Sequence, residues 1–120
     1  MTKLFGDPLE LDEERCWREW RQKGSSLTKV AKKLESEGFI SQRTGKRFSS
    51  TSILHAAWRF AVNNPDEAYE IEMYHQQTMG AVFTEDEWKR ALVQGAKFVY
   101  AQSQKKLSRF IAQRGLQAYV

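Results

Sequence analysis

Apolar residues along the chain recur at helical spacing, and the pattern predicts an almost wholly helical protein. Cys16, Trp17 and Trp20 share one face of a first helix over about 12 to 23. Asp12, Glu13 and Glu14 crowd its start and Arg18, Arg21 and Lys23 its end, which complements the helix dipole, and Gly24 follows as a stop. The Trp pair reads as a core anchor rather than a base-stacking platform. Ser26 caps a second helix reaching 37, where Leu27, Val30, Ala31 and Leu34 fall at i, i+3, i+4 and i+7 and Gly38 is the stop. Its polar side carries Lys29, Lys32 and Lys33.

Residues 39 to 48 break the pattern. Phe39, Ile40 and Phe48 bracket Gln42-Arg43-Thr44-Gly45-Lys46-Arg47, in which Gly45 permits a tight turn, so a short hairpin or an ordered basic loop is expected. Ser49 or Ser50 then caps a third helix reaching about 63. Asn64-Pro65 ends it and opens a fourth over about 65 to 78, with Asn64 as cap, Pro65 at the first helical position and Glu67 completing a capping box. Beyond Gly80, Thr84 and Glu87 form a second capping box ahead of a helical stretch from 84 to 113, where Trp88, Leu92, Gly95, Val99, Leu107 and Phe110 share a stripe. Gly95 and the polar Gln102-Ser103-Gln104 leave open whether this stretch is one helix or two. The expected fold is all-α: a helix-turn-helix domain over 1 to 64 with a basic hairpin or loop between its helices, then an acidic helix and a long C-terminal helical arm over 65 to 120.

Composition narrows the class. A chain of 120 residues with 41% hydrophobic content, four Trp and seven Phe suffices for one core. No segment approaches the roughly 18 consecutive apolar residues of a membrane span. The start, MTKLFGDPLELDEE, lacks the basic and apolar regions of a signal peptide, so a cytoplasmic protein is expected. A lone Cys16 with distant His55 and His75 supplies neither a disulfide nor a four-ligand zinc site within the chain, and no cofactor or metal is expected. Asp66, Glu67, Glu70 and Glu72 read as a helix start and its solvated face, Glu85, Asp86 and Glu87 as another helix start, and His75 as a surface or interface histidine. Without a nucleophile arrangement or phosphate-cradling glycine loop, a binding protein is expected rather than an enzyme.

Charge sharpens this picture more by its distribution than by its total of +4. Residues 18 to 60 hold ten cations against three carboxylates, 61 to 88 hold seven carboxylates and no cation, and 89 to 120 hold seven cations and no carboxylate. A basic surface thus precedes an acidic element and a second basic element, which either binds an acidic one or extends a nucleic-acid footprint. On the third helix, Ser52, His55, Arg59 and Asn63 lie at i, i+3, i+7 and i+11, within an arc of roughly 80°, among apolar residues that fill the rest of the circumference. Two readings stay open: a stripe that hydrogen-bonds base edges, or the solvated face of a core helix. Lys29, Lys32, Lys33, Arg43, Lys46, Arg47, Ser49 and Thr51 are the candidate phosphate contacts around it. Double-stranded DNA is the expected partner.

From Ser26 to Tyr69 the pattern SLTKVAKKLESEGFISQRTGKRFSSTSILHAAWRFAVNNPDEAY resembles the helix-turn-helix segment that follows the catalytic domain of large serine recombinases. The matching positions are Val30-Ala31, Leu34, Gly38, Thr44-Gly45-Lys46, Phe48 in place of a Trp, Ser49 and Asn64-Pro65. The resemblance implies a DNA-binding unit whose residues 49 to 59 enter the major groove. The leading expectation is sequence-selective duplex binding by a transcriptional regulator or an accessory factor of a phage or mobile element. The resemblance does not imply strand cleavage, because the domain with the nucleophilic Ser has no counterpart in these residues. A looser likeness, to small terminase subunits of tailed phages, implies oligomeric DNA-packaging recognition. There the acidic block of one subunit would meet the basic block of the next. Trp88, Leu92, Val99, Leu107 and Phe110 are the candidate homo-oligomer or protein-partner surface. A third alternative is an adaptor docking on polymerase or a larger assembly through the C-terminal region, the tail Leu116-Gln117-Ala118-Tyr119-Val120 included.

Overall fold

The computed structural model describes residues 11 to 120 and is all-α. The reading of the first ten residues as lacking an export signal lies outside the described residues. In chain order the helices are α1 (Glu13–Trp20), α2 (Leu27–Ser36), α3 (Ser50–Asn63), α4 (Pro65–Thr78), α5 (Glu85–Val99) and α6 (Gln104–Arg114), followed by a 3-10 turn at Gln117–Tyr119. Among the described residues no helix is long and apolar enough to cross a membrane. The chain divides into two units, Met1–Ala57 and Trp58–Val120, with the division inside α3. Trp58 explains the position: its indole stacks on Trp88 of α5, at 6.4 Å between ring centroids and 20° between planes, and so belongs to the second core.

In the first unit, Asp12 caps α1 by accepting from the Arg15 backbone N–H at 3.1 Å, and Ser26 caps α2 by accepting from that of Lys29 at 3.1 Å. The α1 helix stops at Trp20, short of the expected 23. Trp17 and Cys16 are each 1% exposed, and Trp20 meets Trp17 edge-on at 5.7 Å, so the Trp pair is the anchor that its spacing predicts. Val30, Ala31 and Leu34 of α2 are buried with them, as are Phe48 and Ile53. The segment joining α2 to α3 forms a single antiparallel bridge, Ser41 to Lys46, with no named strand. The Ser41 N–H donates to the Lys46 carbonyl at 2.8 Å and the Gly45 N–H to the Ser41 carbonyl at 2.7 Å. Gly45 takes φ +71°, a conformation that a side chain disfavours, and this closes the tight turn.

The second unit is tied together by aromatic contacts that cross elements. Tyr69 of α4 lies 5.8 Å from Trp88 and 6.4 Å from Phe83, and Tyr100 lies 6.2 Å from Phe110 of α6. Gly95 is buried against Trp58, and a Cβ at this position would collide with the indole, so the residue suspected as a helix break is instead a close packing contact. The arm is two helices. It breaks at residues 100 to 103, where Ser103 accepts from the Lys106 N–H at 3.2 Å and starts α6.

Several local expectations are corrected. Thr84 and Glu87 make their capping box, but Asn64 makes no side-chain cap bond and its amide donates backward to the Phe60 carbonyl at 3.2 Å. Glu72, expected on a solvated face, and His75, expected at a surface or interface, are 6% and 9% exposed on α4; Glu72 accepts from Gln76 at 2.7 Å, while His75 Nδ1 has no hydrogen-bond partner among the described residues. The C-terminal tail is partly tied down, with Gln117, Ala118 and Val120 exposed. Leu116 is 2% exposed, the Tyr119 hydroxyl donates to Asp86 at 2.7 Å, and Arg90 lies 5.6 Å from the Tyr119 ring centre.

Candidate nucleic-acid interface

The interface begins where a basic turn meets a helix start. Ser49 caps α3, accepting from the Ser52 backbone N–H at 3.1 Å and donating its hydroxyl proton to Ser52 Oγ at 3.1 Å. Ser49, Ser50 and Thr51 are exposed, which leaves the first turn of α3 and its positive dipole end open to an anion. The turn immediately before it exposes Arg43, Lys46 and Arg47.

The six expected phosphate cations are not equivalent. Lys29 Nζ donates to the Gly24 carbonyl at 2.7 Å and so closes the α1–α2 connection. Lys33 pairs with Glu19 at 3.0 Å and Arg47 with Glu35 at 3.2 Å. A carboxylate beside a cation cancels most of its field at the distance of a phosphate, even though the exposed pair itself contributes little stability. Lys32, Arg43 and Lys46 are exposed and form no ion pair among the described residues. Of the six expected phosphate cations, these three are therefore the least compensated by neighbouring carboxylates or carbonyls.

Arg15 organises the opposite balance. It donates to Glu37 through both terminal nitrogens, at 2.7 and 2.5 Å, and also pairs with Glu19. The hydrogen bonds from Arg15 hold the Glu37 carboxyl below its ordinary value. Burial acts to raise Glu19, but hydrogen bonds from Arg15 and Lys33 outweigh it and the net direction is down.

The expected base-reading stripe is not an open one. Asn63 is exposed, Ser52, His55 and Arg59 are half-buried, and Ala56, in the same arc, is 0% exposed. The physical reason lies in the composition of α3: Ile53, Ala56, Ala57, Phe60, Ala61 and Val62 are all buried, which sinks most of the helix circumference. Its exposed positions are Ser50 and Thr51 in the first turn and Asn63 at the far end, not the whole stripe. The second unit redirects the far end of the stripe, for Arg59 and Asn63 line a cleft with Tyr100, Lys106, Arg109 and Arg114. Sequence reasoning did not assign those α6 cations; the signal was present in the carboxylate-free block from 89 to 120.

The candidate partner stripe is also corrected. Trp88, Leu92 and Phe110 are 5%, 3% and 8% exposed, and Val99 and Leu107 are half-buried, so this stripe chiefly serves the chain's own core. No family model matches the chain, and comparison with curated proteins and with solved structures likewise finds no match.

Proposed function

We propose that the protein binds double-stranded DNA through the first unit, without catalysing a reaction on it. The observation that carries this reading is that Lys32, Arg43 and Lys46 are exposed and form no ion pair among the described residues, while the turn that holds Arg43 and Lys46 leads directly into the exposed first turn of α3. Phosphates are held by such a set: cations supply the long-range attraction, and a capped helix start adds backbone N–H groups at short range. Ser50 and Thr51 are exposed in the first turn of α3, and Ser52 and His55 follow them along the helix half-buried. Sequence selectivity comes from these positions, and the resemblance to recombinase helix-turn-helix segments supports their entry into the major groove. The biological role that fits is a transcriptional regulator or an accessory DNA-binding factor of a phage or mobile element.

Fluorescence anisotropy with a mixed-sequence duplex tests the reading. Binding is expected at low salt and is expected to weaken steeply between about 50 and 200 mM. The double substitution Arg43→Gln and Lys46→Gln is expected to lower the slope of log affinity against log salt by about 1.8, the loss of two phosphate contacts. A wild-type affinity indifferent to salt, or a double variant with an unchanged slope, overturns the proposal.

A further inference from the structure

The second unit carries a basic cleft of its own. Arg59 and Asn63 from the end of α3, Tyr100 from the end of α5, and Lys106, Arg109 and Arg114 from α6 line a space of about 540 Å³ with no carboxylate among its lining residues. On α6, Lys106, Arg109 and Gln113 follow at i, i+3 and i+7, within an arc of roughly 60°, so one helix face supplies both charge and hydrogen-bonding groups to the cleft. Lys106, Arg109 and Arg114 are exposed and form no ion pair among the described residues. Arg114 also borders a second depression that includes Asp66 and Glu85, which makes Lys106 and Arg109 the less compensated cations.

We propose that this cleft binds a single strand of nucleic acid, with Lys106 and Arg109 on its phosphates and Tyr100 against an unpaired base. Three observations point to that ligand. Lys106 and Arg109, which form no ion pair among the described residues, select an anion. The volume falls in the range of about 300 to 1,000 Å³ that encloses an organic molecule, so a sugar-phosphate unit fits and a bare ion leaves the space unfilled. The wall includes a half-buried aromatic, Tyr100, set on Phe110 at 6.2 Å and 57°, which gives a base a flat apolar surface. A basic groove with aromatic side chains is the combination that single strands require, because every base has a stacking face and every nucleotide a phosphate. A duplex is met instead by a protruding helix or ribbon and does not enter a concave site of this size. The inference uses none of Lys32, Arg43 and Lys46, and stands or falls separately from duplex binding by the first unit.

Anisotropy of the full chain with labelled oligothymidylate and oligouridylate tests it, and binding of either strand at low salt is the expected result. Lys106→Gln with Arg109→Gln is expected to weaken binding at least about tenfold and to lower the salt slope by about 1.4, the single-strand value for two contacts. Tyr100→Leu is expected to cost about tenfold and Tyr100→Phe to restore binding, since stacking needs the ring and not the hydroxyl. Because Lys106 and Arg109 are exposed, circular dichroism and the denaturation midpoint of that variant should match wild type. Arg43→Gln with Lys46→Gln should leave single-strand affinity near wild type. Failure of the wild type to bind either strand at low salt overturns the proposal. So does wild-type affinity in the Lys106 and Arg109 variant, or a loss that appears only in the Arg43 and Lys46 variant.

Discussion

The two units use their cations in opposite ways. In the first, half of the described basic side chains are spent on neighbouring carboxylates or carbonyls: Arg15 on Glu37 and Glu19, Arg18 on Glu14, Lys33 on Glu19, Arg47 on Glu35 and Lys29 on Gly24. In the second, aromatic rings link α3, α4 and α5, and Lys106, Arg109 and Arg114 of α6 are left without ion pairs among the described residues. A count of charges along the chain treats both blocks as basic. The difference teaches that a cation is available to a ligand where apolar contacts already join the elements, and is withdrawn where ion pairs help to join them.

The comparison breaks most severely at the aromatic anchors. Trp17→Ala should destabilise the protein by about 4 kcal/mol, the typical cost of removing a fully buried large aromatic, because Trp17 is 1% exposed. Urea denaturation reads this loss directly. A change below about 1 kcal/mol would mean that ion pairs rather than the Trp anchor carry the first unit. In the second unit, Gly95→Ala should cost about 2 kcal/mol, since the added methyl meets the Trp58 ring, which is itself stacked on Trp88 and has little freedom to retreat. Adding Trp58→Leu should recover part of that loss, and a double-mutant cycle without coupling would show that the crowding lies elsewhere.

Helix positions were legible in the sequence because they depend on local chemistry: Asp12, Ser26 and Thr84 each cap the helix that follows them. Asn64 departs because its amide finds the Phe60 carbonyl, a competing partner one helical turn back. Less of the site was legible. The exposure of Lys46 follows from its own turn, but the capture of Lys33 by Glu19 joins residues on different helices, which spacing along one helix does not report. The same holds for the α3 stripe. Its periodicity was right, yet the burial of Ala56 depends on what packs around the helix. Gly95 shows the converse, a residue whose local propensity argues for a break and whose tertiary role is to admit an indole.

The smallest expected effect concerns acid. Glu37 and Glu19 both have folded-state values below their ordinary range, so each binds protons more readily in the unfolded chain than in the folded one. Their contribution to stability is therefore fully present above the ordinary glutamate value and is lost as pH falls through the lowered folded values. Arg15 links the two, and both carboxylates reach solvent, so the effect is modest and sensitive to salt. Denaturation midpoints of wild type and Arg15→Met, measured at neutral pH and near pH 3, should differ more at neutral pH and converge in acid. The convergence should weaken in high salt. An equal gap at both pH values would assign Arg15 to packing through its aliphatic stem rather than to the ion pairs, and would remove the electrostatic half of the contrast between the two units.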